Sequence, residues 1–350
     1  MSQTALQPWL SAPETRIGAY NGAETALSFS DPATELAALR SGCGLFALTW
    51  RARINVAGKD RVRWLHNMVT NNVRDLPVNR GNYNFVLNAQ GRILGDLYIY
   101  NRGESLVMDT DAGQVETLIT AMKRFIIMDK VELARADESL MALGICGAKA
   151  ETVLASAGIN AGGMQPLEIR DVSVGPVAAT LLRGPEQRPG WFELWLDSGK
   201  AQDLWNSLMK AGAQPVGAEA LEVWRVLRGI PNYGQDIRDR DLPQETEQPQ
   251  ALNFTKGCYI GQEIVERIRS RGQVHRKFTG FVFGDRAPQI GKYDSEGRAL
   301  AEITSTTRVP TTEGPRNIGL GYVRREAVAA GPKIALDGIE ATAVDLPFEI

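Results

Sequence analysis

Residues 253–277 read NFTKGCYIGQEIVERIRSRGQVHRK. A thiol, Cys258, lies between Gly257 and Tyr259; Gly261 follows, and the apolar residues Ile264, Val265 and Ile268 then recur at helical spacing. The stretch predicts a loop that delivers a cysteine to the start of a helix. Open amide N–H groups at a helix start, the positive end of its dipole and the ammonium of Lys256 two residues upstream all favour a thiolate. The competing reading of Cys258 is a small buried hydrophobe. A nucleophilic pair with His275 is a further alternative. The basic run Arg267, Arg269, Arg271, Arg276 and Lys277 is open to two readings as well. It could receive an anionic tail or a phosphate backbone, or it could be a solvated face interleaved with Glu263 and Glu266.

The bulk numbers narrow the class. A chain of 350 residues exceeds what one core usually supports, and 43% hydrophobic with 23% charged residues is ordinary for a water-soluble globular protein. A formal net charge of −2 gives no bulk attraction to nucleic acid or to an anionic membrane. The start MSQTALQPWLSAPETRIGAYNG has no basic segment leading into an apolar run, and nowhere do about 18 apolar residues occur together, so a cytoplasmic protein without a membrane partner is expected. Cys43, Cys146 and Cys258 are odd in number and far apart, against a disulfide framework. With only His66 and His275 besides, scattered singly, the chain lacks the roughly four N or S ligands of a zinc or iron–sulfur site, and no resident metal is expected.

In chain order, residues 1–45 read as an N-terminal arm, with a short helical pattern from Pro32 to Arg40. Arg53 to Val56 alternates as a strand, and a helix opened by Asp60 places Trp64, Leu65, Met68 and Val69 on one stripe. Tyr83 to Leu87, the turn Asn88-Ala89-Gln90-Gly91 and Ile93 to Tyr100 form a hairpin pattern. A strand from Ser105 to Asp109, a helix through Val115 to Met122 and a strand near Val131 close a first unit. A second begins at Leu140 and ends with the helix bearing Leu204, Trp205, Leu208 and Met209. Gly217 to Arg228 is a helix. Tyr233 to Gln250 is too rich in charge, Pro and Gln for a core and reads as a functional or mobile loop. Short apolar strands separated by glycines after His275 predict a small antiparallel barrel. The expected fold class is α+β, with two α+β units and antiparallel sheets over residues 46–272 and a C-terminal β-barrel over 273–350.

The stretch Lys256 to Glu263, K-G-C-Y-I-G-Q-E, with Arg271-Gly272 and Arg276 beyond it, resembles the signature of the YgfZ-like folate-binding proteins. These are the iron–sulfur maintenance branch of the superfamily that includes the T-protein of the glycine cleavage system. In that light Lys256, Gly257, Tyr259, Gly261, Gln262 and Glu263 form a signature loop around Cys258. The resemblance covers roughly residues 45 to 350 in the order of elements, and implies two α+β units and a barrel around a central funnel that binds tetrahydrofolate.

Residue by residue, Asn88-Ala89-Gln90-Gly91-Arg92-Ile93-Leu94-Gly95-Asp96-Leu97 is similar to the T-protein hairpin N-E-x-G-G-I-x-D-D-L. There the paired aspartates approach the reacting folate nitrogens. Here Asp96 remains and Gly95 replaces the first acid. One carboxylate suffices to accept a hydrogen bond from an amine; two are expected if one must also shuttle a proton. Gly190 to Trp195 resembles the strand whose glutamate, here Glu193, pairs with the pterin, since a carboxylate can accept two adjacent N–H donors at once. Arg225 with Gly229, Tyr233 and Gly234 matches a run that contributes to the folate pocket, and Asp109 stands where T-proteins commonly have asparagine. Read without the resemblance, Glu193 is a solvated strand residue and Arg225 a partner of Glu222. Asp96, inside an apolar strand, needs partners on either reading. The resemblance thus implies Cys258 and Asp96 as catalytic residues, and Glu193, Arg225, Tyr233 and Asp109 as folate-binding ones. It implies a folate-binding accessory factor with iron–sulfur client or assembly proteins as partners, including radical enzymes of tRNA modification. The alternatives are a folate-dependent aminomethyltransferase and a non-catalytic folate-sensing scaffold.

Overall fold

The computed structural model describes residues 15–136, 139–272, 274–295, 298–311 and 313–349. The first fourteen residues, and with them the start of the expected N-terminal arm, lie outside the described residues. The protein is α+β with antiparallel sheets and divides into two compact units interleaved in sequence. Unit 1 takes the chain up to Leu65, Val73–Asn82 and Leu97–Glu222; unit 2 takes His66–Asn72, Tyr83–Asp96 and Val223–Ile350.

Within unit 1, a six-stranded sheet runs in the order Ile169–Val174, Val177–Arg183, Trp191–Asp197, Leu140–Cys146, Gly44–Ala47, Gln214–Pro215. Its pairs are antiparallel except the last, which is parallel. The helices Ala150–Ser156 and Ala201–Lys210 cover it, and Leu143, Ile145, Leu181, Leu194, Leu204 and Leu208 make the fully buried centre of that core. Arg51–Ala57 pairs antiparallel with Leu106–Asp111 on one side and with Glu132–Arg135 on the other. The register sets Arg53 opposite Asp109.

The arm is more ordered than its sequence reading. Arg16–Tyr20 and Ala23–Ser28 form a hairpin through Asn21 and Gly22, both at positive φ, which is the turn chemistry that Asn-Gly supplies. Asp31 caps the helix Pro32–Ser41. Glu35, buried in its first turn, accepts the amides of Phe29, Ser30 and Gly217 at 2.6, 2.6 and 2.7 Å.

In unit 2 the strands follow the order Gly291–Ser295, Arg298–Val309, Arg316–Arg324, Arg276–Phe283, Ile339–Val344, Lys333–Leu336 and make a nearly closed, barrel-like antiparallel sheet. Phe281, Ile303, Val323, Leu336 and Ala341 fill it. The helix Arg325–Ala330, a short turn that the sequence reading lacked, sits between two of its strands.

The stretch from Tyr233 to Gln250 corrects the expectation of a segment too polar for a core. Asp236, Asp241 and Thr246 are completely buried there. Its polar residues are consumed in a network of charges. Arg276 reaches Asp241 at 2.6, Glu245 at 2.9 and Glu302 at 3.2 Å, while Arg238 and Arg240 hold Glu302 at 2.9 and 2.6 Å. Burial by itself raises the Glu302 pKa; the hydrogen bond from Arg238 and the charges of Arg238, Arg240 and Arg276 outweigh it and hold the carboxyl below its usual 4.5. A carboxyl depressed in the folded state stabilises fully above its unfolded pKa and loses that contribution as the pH falls through its folded one. Glu302→Gln should therefore lower the unfolding midpoint at pH 7 and flatten the loss of stability between about pH 5 and pH 3. Parallel acid-unfolding curves for the two proteins would contradict this.

Candidate functional site

The signature loop is held from beneath by its own lysine. Lys256 is buried, and its Nζ donates to the carbonyls of His66, Val69 and Asn71, the last two at 2.6 and 2.8 Å. The helix Arg61–Met68 ends there, so the ammonium caps carbonyls that the helix leaves open. The ring of Tyr259 covers the same ammonium at 4.9 Å, and burial pushes its phenol up to about 12. Asn253 closes the turn by accepting the amides of Thr255 and Lys256.

Gly261 shows why a glycine is needed two residues after Tyr259. It lies at φ +81°, and a Cβ there would stand 2.5 Å from the carbonyl oxygen of Asn88 in the hairpin turn. Gly91, on the turn, has the matching constraint: its Cβ would stand 2.8 Å from Ile264. The helix Gln262–Arg271 starts after Gly261 and buries Val265. Glu263 is exposed and pairs with Arg267 at 2.7 Å; Arg269 pairs with Glu266 and stacks over Phe254. Arg267 and Arg269 are thus charge-matched along their own helix, and Arg276 is spent on the acids of the buried network.

Cys258 is exposed. Two features read as activating it are corrected. The donors of Lys256 are occupied by three carbonyls, and the helix begins four residues later, at Gln262, so the sulfur lies outside the first turn, where the dipole acts. Among the described residues no hydrogen bond joins Cys258 to His275. Cys43 and Cys146 are buried, and burial pushes the Cys43 thiol up to about 12.

Asp96 lies half-buried on the strand Ile93–Asn101, where the Tyr83 hydroxyl donates to its Oδ2 at 2.6 Å. Tyr233 is nearby in the same unit, its hydroxyl donating to the Leu94 carbonyl at 2.8 Å. Burial first, then the charges of Asp96, Asp239 and Asp241, raise its pKa, so it is a donor rather than a base. Arg225 donates to Asp236 at 2.6 Å, the Ile230 carbonyl at 2.7 Å and Ser305 at 2.9 Å. Glu222 accepts from the Tyr20 hydroxyl at 2.8 Å.

Unit 1 holds the other group. Glu193 is buried, not solvated. Its Oε1 accepts from Trp191 Nε1 at 3.0 Å and its Oε2 from Trp195 Nε1 at 3.1 Å. Asp109 takes Arg51, which also reaches Asp111 at 2.8 Å, and lies 3.1 Å from Nε of Arg53. Tyr83, Trp191, Trp195 and Arg53 were not singled out from the sequence. The alternation of Trp191, Glu193 and Trp195 on one strand places all three on one face, and was the signal available.

The donor set fits a reduced folate on one test. Each oxygen of Glu193 uses one lone pair on an indole and retains another, so the carboxylate can still accept two adjacent N–H groups of a pterin edge. No group of three or more His, Cys, Asp and Glu arranged to hold a metal occurs among the described residues.

The GCVT N-terminal domain profile matches residues 6–256. The chain belongs to that family. The matched range includes Asp96, Asp109, Glu193, Arg225, Tyr233 and Lys256, and stops short of Cys258. The chain is 28% identical over 343 residues to the aminomethyltransferase of Geobacillus kaustophilus (strain HTA426), covering 94% of this chain and 93% of that protein. It is 26% identical over 358 residues to the aminomethyltransferase of Nostoc sp. (strain PCC 7120), covering 96% and 92%. The crystal structure of glycine cleavage system aminomethyltransferase T from Bartonella henselae superposes with a TM-score of 0.82 at 21% identity, over 95% of this chain and 94% of that one. The fold is therefore that of the aminomethyltransferases. No helix among the described residues is long and apolar enough to cross a membrane.

Of the three cysteines, one should react with a thiol reagent at pH 8 in the native protein and all three after denaturation. Fast labelling of two or more thiols in the native state would contradict the buried positions of Cys43 and Cys146.

Proposed function

We propose that the protein binds tetrahydrofolate and carries out folate-dependent aminomethyl transfer. The observation that carries this reading is the carboxylate of Asp96, fixed by the Tyr83 hydroxyl at 2.6 Å on the hairpin strand. A carboxylate held in one orientation can accept a hydrogen bond from a folate amine. Within unit 1, Glu193 keeps one lone pair open on each oxygen, which is the chemistry a pterin edge asks of an acceptor. Tyr233 stays protonated and supports the backbone of the Asp96 strand at Leu94. Tetrahydrofolate supplies the amine that accepts the one-carbon unit. Relatives that match this chain over nearly their whole length bear the name aminomethyltransferase, which supports the same reading.

A second reading is favoured by one specific observation. Cys258 is exposed on a loop that Lys256 pins in place, and Gly95 stands where the T-protein hairpin has the first of its two acids. An exposed thiol on a firmly held loop suits contact with an iron–sulfur client, in the manner of the YgfZ-like branch. In that reading folate is a needed ligand of an accessory factor.

The two are separated by one pair of measurements. Formation of methylene-tetrahydrofolate from an aminomethyl donor should be detectable with the wild type and fall about a hundred-fold in Asp96→Asn. If the wild type forms none, while Cys258→Ala fails to restore an iron–sulfur enzyme in a strain lacking such a factor and the wild type succeeds, transfer is excluded and the accessory reading stands.

A further inference from the structure

Arg53 is among the largest fully buried side chains described, in the middle of the strand Arg51–Ala57. Burying a guanidinium carries a heavy desolvation cost that only well-placed partners offset. Its partners are unusual for a structural ion pair. Nε is 3.1 Å from Asp109 Oδ1, Nη2 is 3.9 Å from Glu193 Oε2, and the guanidinium lies over the ring of Trp195 at 4.9 Å. Neither Nε nor Nη2 makes a hydrogen bond among the described residues. Asp109 also has a partner in Arg51, which Asp111 shares, so Arg53 is not its sole counter-charge.

Arg53 covers the face of Trp195. That ring is covered by the guanidinium on one side and met edge-on by Tyr100, with centroids 5.3 Å apart at 86°. The indole N–H is thereby aimed at Glu193 Oε2, while Arg53 places a positive charge beside the same oxygen. On the other oxygen, Trp191 is fixed in the same manner by Phe46 at 4.7 Å and Arg188 at 4.8 Å. The carboxylate is thus presented in one orientation before any ligand arrives.

The geometry points to Arg53 as the positioning residue for Glu193. Through Trp195 and from its own place beside Oε2, it holds the carboxylate in one orientation as an acceptor for two adjacent N–H donors of a pterin-type ring. This rests on the folate reading of Glu193. Arg53 itself does not touch ligand. A lysine in its place keeps the charge but loses the planar face that stacks on the indole.

The test is a double-mutant cycle on tetrahydrofolate affinity by calorimetry, with wild type, Arg53→Lys, Glu193→Gln and the pair, each checked for cooperative thermal unfolding. Arg53→Lys should weaken binding about ten-fold in the wild type and leave the affinity of Glu193→Gln unchanged. Trp195→Phe, which keeps the ring and removes the N–H, should cost a similar factor and add nothing to Arg53→Lys, and it carries the test if the lysine variant fails to fold. Losses that multiply across the cycle would show a merely structural role and overturn the inference. Equal binding by wild type and Glu193→Gln would instead remove the folate reading on which it rests.

Discussion

Three backbone carbonyls, from His66, Val69 and Asn71, converge on one ammonium, that of Lys256. An ammonium has three donors, and here each finds an acceptor at the end of a helix whose own carbonyls need one. Burying that charge is costly, and charge-assisted bonds together with the face of Tyr259 offset the cost only in this arrangement. The lysine therefore ties the loop 253–261 to the segment 66–72. Everything the signature loop presents depends on this tie.

Two consequences follow in the packing. Asn253 N–H donates to the Thr70 carbonyl and Ile260 N–H to that of Asn67, so the loop runs along the same segment that its lysine caps. Gly261 then turns in the left-handed region, closely enough to the hairpin turn that neither it nor Gly91 can carry a side chain. The strand following that turn bears Asp96. The same compact arrangement leaves Cys258 exposed rather than sealed in apolar packing, so the thiol remains available to a partner.

Much of the fold is legible in the sequence because its signals are local. The alternation in Ile93–Asn101, the helical stripe ending at Met68 and the glycine-punctuated strands after His275 each declare themselves within ten residues or so. What escaped has physical reasons. The hairpin at Asn21-Gly22 had its turn signal, but its strands are too polar to show a buried face. Tyr233 to Gln250 reads as too polar for a core because composition cannot distinguish charges facing water from charges facing Arg225, Arg238 and Arg276. The partners of Lys256 lie far away in sequence, so it was read as a neighbour of Cys258. The helix does begin after Gly261, and the turn there keeps Cys258 four residues from Gln262, farther than delivery to the start of a helix implies. For the candidate site, the carboxylates Asp96 and Glu193 were visible as acids on strands; the groups that orient them, Tyr83, Trp191 and Trp195, are assigned only by contact.

Asp96 and Glu193 share one feature: each is held by a hydrogen-bond donor from an aromatic side chain, whereas Asp109 is held by arginines. The loop with the thiol is held by different means, and its anchoring is the claim on which the others lean most. Hydrogen exchange read by mass spectrometry on Lys256→Met tests it directly. Leaving buried carbonyls unmet costs about 3 kcal/mol, so amides in 66–72 and 253–261 should lose roughly a hundred-fold in protection together while the strand Arg316–Arg324 keeps its own. Unchanged protection in both segments would contradict the account.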